Sequence, residues 1–272
     1  MKKLTQFLIA LVAALATVTA TLPLAQAAEA PVLERIVKSG TMRVGLSGDQ
    51  PPYNATSRGG ELIGLEVDLA NLLAGAFGVK VEFVKKPFPE LMAALKASEV
   101  DIVMSGMAIT PERSIDASFV GPYLLSGKSI LTNSNTLAAI KEAGQINRAN
   151  LKLAALENST SQRFVEMALP EATLVLIKDY ESGVNMVISD EVDALVADMP
   201  ICLLSVMRYP GKGLATLNQP LNVEPIGIAI PANDAQLKGL LENYITAFEG
   251  TGILDGLRKK WLEDGSWIAA LP

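Results

Sequence analysis

Short apolar runs rich in valine, isoleucine and leucine alternate along this chain with longer stretches in which apolar residues return every third or fourth position, the pattern of layered α/β structure. Residues 42–46 and 80–85 read as strands, with a turn at Gly59-Gly60 between them. Leu65, Leu69, Leu72, Leu73 and Ala76 form one apolar helical face that ends near Gly78. Residues 88–97 read as a second helix and 101–104 as a third strand, whose run from Ile102 to Met104 suits burial on both faces. The pattern then begins again. Strands at 129–132, 151–156, 173–177 and 194–197 interleave with helices at 161–169 and 180–189. The stretch from Pro220 to Pro225 interrupts it, after which 226–230 reads as a late strand and 234–249 and 252–262 as closing helices.

Two αβ units of similar size predict two lobes, one built from residues 28–125 completed by 226–272, the other from residues 126–225. The chain then passes between them twice, near 125–128 and near 219–225, and two crossings make a hinge. No short repeat, coiled coil or low-complexity linker accompanies the pattern.

The first 27 residues are of a different kind: Lys2 and Lys3, an almost uncharged apolar stretch from Leu4 to Leu24, then Ala25-Gln26-Ala27. This is the composition of a secretory signal cleaved after Ala27, and it predicts a periplasmic protein. The single cysteine, Cys202, lies far from that cleavage point, so neither a lipid anchor nor an internal disulfide is expected, and Cys202 reads as a small core residue. The formal net charge of −6, more negative once the two leading lysines are removed, argues against nucleic acid and anionic membrane as partners. The absence of histidine excludes Ser-His-Asp and Cys-His nucleophile systems and the usual zinc ligands, so no metal or cofactor is expected.

The most informative segment is Asp101-Ile-Val-Met-Ser-Gly-Met-Ala-Ile-Thr-Pro-Glu-Arg113, a buried strand running into a small-residue loop. Thr110-Pro111 reads as a helix cap followed by proline at the first helical position. Free N–H groups there, with the Arg113 guanidinium one turn on, would meet an anion from two sides. On local sequence alone, a surface pairing of Arg113 with Glu112 or Asp116 stands equally well. In the second half, residues 151–156 lead into Glu157-Asn-Ser-Thr160, whose hydroxyls could grip the same anion or merely cap a helix. Asp198 closes the apolar strand at 194–197, where open α/β sheets collect ligands, or else caps the following helix. Phe88 and Tyr53 each follow a proline and could line a cleft. Trp261 and Trp267 are assigned to packing, and Arg258, Lys259 and Lys260 to a solvated face near a helix end. The glycines of Gly121-Pro-Tyr-Leu-Leu-Ser-Gly-Lys-Ser are too far apart for a phosphate loop.

Taken together, Gly64-Leu-Glu-Val-Asp68-Leu-Ala, Ser105-Gly-Met-Ala-Ile-Thr-Pro-Glu-Arg113, Ser118-Phe-Val-Gly-Pro-Tyr123 and Asp193-Ala-Leu-Val-Ala-Asp198 resemble family 3 of the bacterial solute-binding proteins, periplasmic receptors for polar amino acids that feed ABC importers. The resemblance implies a type II periplasmic binding protein fold, two αβ sandwich lobes on a two-crossing hinge. It implies an amino acid as ligand, a membrane ABC permease as partner, and action as a monomer. Carried onto this chain, it makes Arg113 the group that binds the α-carboxylate, helped by the Ala108 N–H and by Thr160 from the other lobe. Asp198 takes the α-ammonium, with the Gly106 carbonyl beside it. Ser105 and Phe88 line the pocket, Phe88 as a platform for the ligand side chain. Gln50, counted with the ligand-binding residues, stands where several relatives carry a stacking aromatic, and Ala108 lacks the hydroxyl that many relatives have there.

The chemistry fits a zwitterion, because a dipolar solute leaving water loses several kcal/mol of hydration per charge and the site must return a fixed cation and a fixed anion. The same two-lobe fold also resembles the periplasmic cyclohexadienyl dehydratases, in which an acidic side chain in the cleft assists loss of water and carbon dioxide. Glu157 is the candidate acid in that alternative. A ligand-sensing subunit of a receptor is a third reading, and it requires a separate signalling partner.

Overall fold

The computed structural model describes residues 31–272, so the expected leader over residues 1–27 and its cleavage after Ala27 lie outside the described residues. In chain order the strands are β1 (Thr41–Leu46), β2 (Asp49–Gln50), β3 (Asn54–Thr56), β4 (Leu62–Ile63), β5 (Lys80–Lys85), β6 (Ile102–Val103), β7 (Ala117–Ser126), β8 (Lys128–Thr132), β9 (Lys152–Leu156), β10 (Thr173–Ile177), β11 (Ala194–Asp198), β12 (Ala215–Thr216) and β13 (Glu224–Pro231). They form two five-stranded sheets, in the orders β5-β1-β6-β13-β7 and β10-β9-β11-β8-β12, with β2, β3 and β4 in a small antiparallel third.

The two large sheets are wound alike. In the first, β5, β1 and β6 are parallel and β13 runs antiparallel to β6 and β7; in the second, β10, β9 and β11 are parallel and β8 runs antiparallel to β11 and β12. Parallel neighbours need helical crossovers, and the helices at Leu65–Phe77 and Leu91–Lys96 in one half and Thr160–Ala168 and Tyr180–Ile188 in the other supply them. The winding direction reverses at β1 and again at β9. Each reversal leaves a crevice at the carboxyl ends of two adjacent strands, β1 and β6 in one sheet and β9 and β11 in the other. No helix of the described residues is long and apolar enough to cross a membrane.

The strands anticipated from apolar runs are present with small shifts of boundary, and Leu65–Phe77 ends at Gly78, whose φ of 69° suits a residue without a Cβ. The segment at 88–97 is split: Pro89 lies in a 3-10 turn, Phe88–Glu90, and the α-helix begins only at Leu91. The helix Val32–Ser39 is not among the elements expected from sequence, although Val32, Leu33, Ile36 and Val37 recur at helical spacing, and the ten-residue strand β7 shows no regular alternation. β7 is disguised by Gly121-Pro122 in its middle. Proline donates no N–H, and the strand tolerates it because β7 is a sheet edge whose register with β13 shifts between Ile226 and Ile228.

Arg258 is not part of a solvated face. Its guanidinium donates to the Tyr123 carbonyl at 2.7 and 3.0 Å and pairs with Glu249 at 2.7 Å, tying the C-terminal helices to β7. Trp261 and Trp267 do pack, with ring centroids 5.0 Å apart and the Trp261 indole N–H on Asp68 at 2.8 Å. Cys202 is fully buried, and burial pushes its thiol up to about 12, which suits an inert core group.

The chain passes between the sheets at Gly127 and again between β12 and β13, and hydrogen bonds stitch the two passages together. The Lys128 N–H donates to Asn222 Oδ1 at 2.7 Å, the Leu221 N–H to the Lys128 carbonyl at 2.7 Å, and the Met199 N–H to the Gly127 carbonyl at 2.9 Å. A Cβ at position 127 would overlap the Asn222 carbonyl and approach Pro220 to 2.7 Å. Gly127→Ala is therefore expected to force the passages apart and destabilise the protein by about 1–3 kcal/mol. Thermal melting of the variant beside Gly75→Ala, where the added methyl meets nothing within 4 Å, measures the difference.

Candidate ligand-binding site

A single cavity at the two crevices draws one segment from the carboxyl end of each of the four strands that frame them. Gln50 follows β1, Gly106 follows β6, Ser159 and Thr160 follow β9, and Asp198 ends β11. Arg113, Phe88, Tyr53, Tyr180, Lys128 and Ile201 complete the lining, and the enclosed volume is about 10 Å³, roughly what one water needs. The lobes meet beside it: Glu112 pairs with Arg163 at 2.6 Å, and Arg113 Nη2 donates to the Asn158 carbonyl at 3.2 Å.

Arg113 opens a helix of a single turn, Arg113–Asp116, preceded by a turn at Pro111 and Glu112. The Thr110 hydroxyl does accept the Arg113 N–H, at 3.3 Å, but four helical residues are too few to make the helix start an anion site. The expected dipole contribution is thus absent and the guanidinium is the cation. It is held by the Ala108 carbonyl at 3.0 Å and lies with Cζ 5.8 Å from the Phe88 ring centroid. Burial lowers its pKa, against the opposing pull of Glu224 and Asp198. The surface pairing is excluded, since Glu112 engages Arg163 and Asp116 engages Lys96.

Asp198 caps nothing: its carboxylate makes no bond to the helix Met199–Arg208 that follows. Its Oδ1 lies 2.5 Å from the Lys128 ammonium and its Oδ2 accepts the Tyr53 hydroxyl at 3.3 Å. Lys128 also reaches Glu224 at 2.9 Å. Burial opposes the charge on Lys128, but Asp198 and Glu224 outweigh it and raise its pKa. Burial likewise works against the Glu224 carboxylate, and Lys128 reverses the effect and lowers its pKa. Burial, reinforced by Asp198, holds the Tyr53 and Tyr180 hydroxyls well above the ordinary phenol range.

Several expected roles change. Ser105 does not face the cavity; its hydroxyl is enclosed in a buried network with Ser47 at 3.2 Å, Gln50 Oε1 at 3.3 Å and Asn54 at 3.4 Å. Ala108 is also outside the lining, with its carbonyl on Arg113, while its bridge to Ile226 is made through Met107 and Ile109 and does not use the Ala108 N–H expected to assist the carboxylate. The Thr160 hydroxyl donates to Glu224 at 2.8 Å and is not free. Ser159 is a helix cap, accepting the Ser161 and Gln162 N–H groups at 3.1 and 3.2 Å. Glu157 is outside the lining. Gly106 and Gln50 do line the cavity, and Gly106 is anchored through its N–H to the buried Glu66 at 2.6 Å; its φ of 58° and the Tyr53 ring at its back admit no side chain. Glu66 also accepts Asn54 at 2.6 Å and the Tyr123 hydroxyl, so one carboxylate holds the site loop, the small sheet and β7. Burial raises its pKa.

Lys128 and Glu224 were not singled out by sequence. Sequence offered only a lysine at the start of the short run Ser129–Thr132; that every residue of Lys128–Thr132 is buried, so that the ammonium must have an anionic partner, emerges from the fold.

The profile of the bacterial extracellular solute-binding proteins, family 3, matches residues 42–264. The chain is 27% identical over 231 residues to a cyclohexadienyl dehydratase of Pseudomonas aeruginosa, covering 85% of this chain and 86% of that one. It is 28% identical over 233 residues to an L-arginine-binding protein of the same organism, covering 81% and 87%. Among solved structures, an ancestral amino acid-binding protein described as a precursor of cyclohexadienyl dehydratase superposes with a TM-score of 0.79 at 32% identity, covering 86% of this chain and all of that one. The fold is that of the type II periplasmic binding proteins.

The Lys128 and Glu224 shifts set a pH window. A carboxylate with a lowered folded pKa stabilises fully above its unfolded value, 4.5 for Glu224, and loses that contribution as pH falls through the folded one. Lys128, raised above 10.5, contributes fully below that value and loses it on the alkaline side. Glu224→Gln is expected to cost about 3 kcal/mol near neutral pH, as for breaking a buried pair. Chemical denaturation of both proteins from pH 7 to pH 3 should show the difference shrinking below pH 4.5.

Proposed function

We propose that this chain, which belongs to the bacterial extracellular solute-binding proteins of family 3, captures a free amino acid between its two lobes and delivers it to the membrane permease of an ABC transporter. The observation that carries the reading is the convergence of Arg113, from the lobe of β6, and Asp198, from the lobe of β11, on one cavity. An α-carboxylate at Arg113 and an α-ammonium at Asp198 restore to a zwitterion the charge partners it loses on leaving water. The arginine-binding relative and the ancestral amino acid-binding protein support an amino acid as the solute.

The lobes meet over a cavity of about 10 Å³, so an amino acid is admitted only when they part. Contacts to both lobes form on closure alone, and a ligand that makes them shifts open molecules toward closed ones. The paired passages at Gly127 and at 217–223 are the hinge; because β7 runs to Ser126 and β13 starts at Glu224, the lobes on either side of it are residues 28–126 plus 224–272 and residues 128–216, with the first lobe's bounds one and two residues from the 125 and 226 expected from sequence. The molecule acts as a periplasmic monomer, and the closed form is what the permease reads.

A second reading, an enzyme of the cyclohexadienyl dehydratase kind, is favoured by the relative of that name. Against it, the expected acid Glu157 does not line the cavity, and the carboxylate that does, Asp198, is held by Lys128.

Calorimetry of the mature protein against the twenty amino acids is expected to give clear binding by at least one, and Arg113→Ala to weaken it by about 100-fold or more. A silent panel, together with conversion of prephenate to phenylpyruvate by the same preparation, would instead establish the enzymatic reading.

A further inference from the structure

The cavity lining carries two cations, Arg113 and Lys128, and one carboxylate, Asp198. Lys128 is only 2% exposed and belongs to the protein itself, yet it stands beside the acid assigned to the ligand's ammonium. Its three N–H donors are partly used, one by Asp198 at 2.5 Å and one by Glu224 at 2.9 Å. Glu224 is fully engaged, since it also accepts Thr160 at 2.8 Å and Asn222 at 3.1 Å. Asp49, the acid next to Gln50 in the chain, lies outside the lining; it keeps surface accessible to solvent, although partial burial raises its pKa.

We propose that Lys128 is the specificity-determining residue of the site, admitting amino acids whose side chain carries a carboxylate or amide oxygen and rejecting those with a cationic side chain. The inference rests on the amino-acid reading above. With the α-carboxylate on Arg113 and the α-ammonium on Asp198, the polar lining groups left for the side chain are the third N–H of Lys128, Gln50 and Tyr180, beside the apolar surface of Phe88 and Ile201. A carboxylate or amide oxygen accepts that N–H, forming a charge-assisted hydrogen bond in a site shielded from water. A guanidinium or ammonium side chain finds no uncommitted carboxylate among the lining residues and faces the like charge of Lys128. This preference departs from the arginine named for the Pseudomonas aeruginosa binding protein.

The test is calorimetry of the mature protein with aspartate, glutamate, asparagine, glutamine, arginine, lysine and leucine. It is repeated on Lys128→Met and on the double variant Lys128→Met with Glu224→Gln, which removes one cation and one anion together. Thermal melting identifies the variants that fold; if Lys128→Met alone does not, the double variant and the wild-type ranking carry the result. At least one acidic or amide amino acid should bind the wild type roughly tenfold or more tightly than arginine, lysine or leucine, and the double variant should lose about 10- to 100-fold of that margin. Arginine, lysine or leucine binding as tightly as the best acidic or amide ligand overturns the proposal, as does a ranking unchanged in the double variant. A wild type that binds none of the seven overturns the proposal and the amino-acid reading together.

Discussion

A charge removed from water must be met by a partner, and in this molecule that constraint acts at one point, the ammonium of Lys128 between Asp198 and Glu224. The three residues come from the first position of β8, the last of β11 and the first of β13. Two of these strands adjoin the passages between the sheets, so the network that satisfies the buried charges also holds the hinge strands in register. Asn222, which binds both the Lys128 N–H and Glu224, extends the same network into the second passage. Removing Lys128 strands two buried carboxylates, and removing either carboxylate leaves the ammonium one partner in place of two.

The site inherits its form from this arrangement. Because the two sheets share one winding, each presents a crevice at the ends of its parallel strands, and the hinge brings the crevices face to face. Arg113 then arrives from one side and Asp198, already paired with Lys128 of its own sheet, from the other. Glu66 performs a supporting function of the same kind on one side: a single buried carboxylate binds Gly106, Asn54 and Tyr123, so the loop that faces the cavity cannot shift independently of the sheet behind it. Tyr53 crosses the boundary, with its ring against Gly106 and its hydroxyl on Asp198.

Much of this was legible in the chain because strands and helices are written in local periodicity. The runs at 80–85 and 173–177 coincide with β5 and β10, and the helix face from Leu65 to Ala76 ends where Gly78 permits a left-handed residue. The exceptions have local causes that act through distant partners. β7 is a strand in spite of Gly121-Pro122 because it lies at an edge and pairs with β13, more than a hundred residues away. Ser105 seemed to belong to the cavity from its place in the loop, but Ser47, Gln50 and Asn54 arrive from the β1 side and enclose its hydroxyl. Arg258 was indistinguishable from its neighbours Lys259 and Lys260 until the Tyr123 carbonyl met it.

Sequence by itself determined the alternation of elements and the doubling of the αβ unit, since both depend on short-range spacing; local pattern left Arg113 and Asp198 with bland alternatives, and it was the family resemblance that singled them out. The tertiary structure alone decided that Asp198 is shared with a lysine of the protein, that Thr160 is taken up by Glu224, and that Ser105 and Ala108 are wall and not lining. Those are questions of which buried polar group lies within about 3 Å of which other, and the answer depends on how sheets far apart in the chain are brought together, a distance that no local pattern of residues encodes.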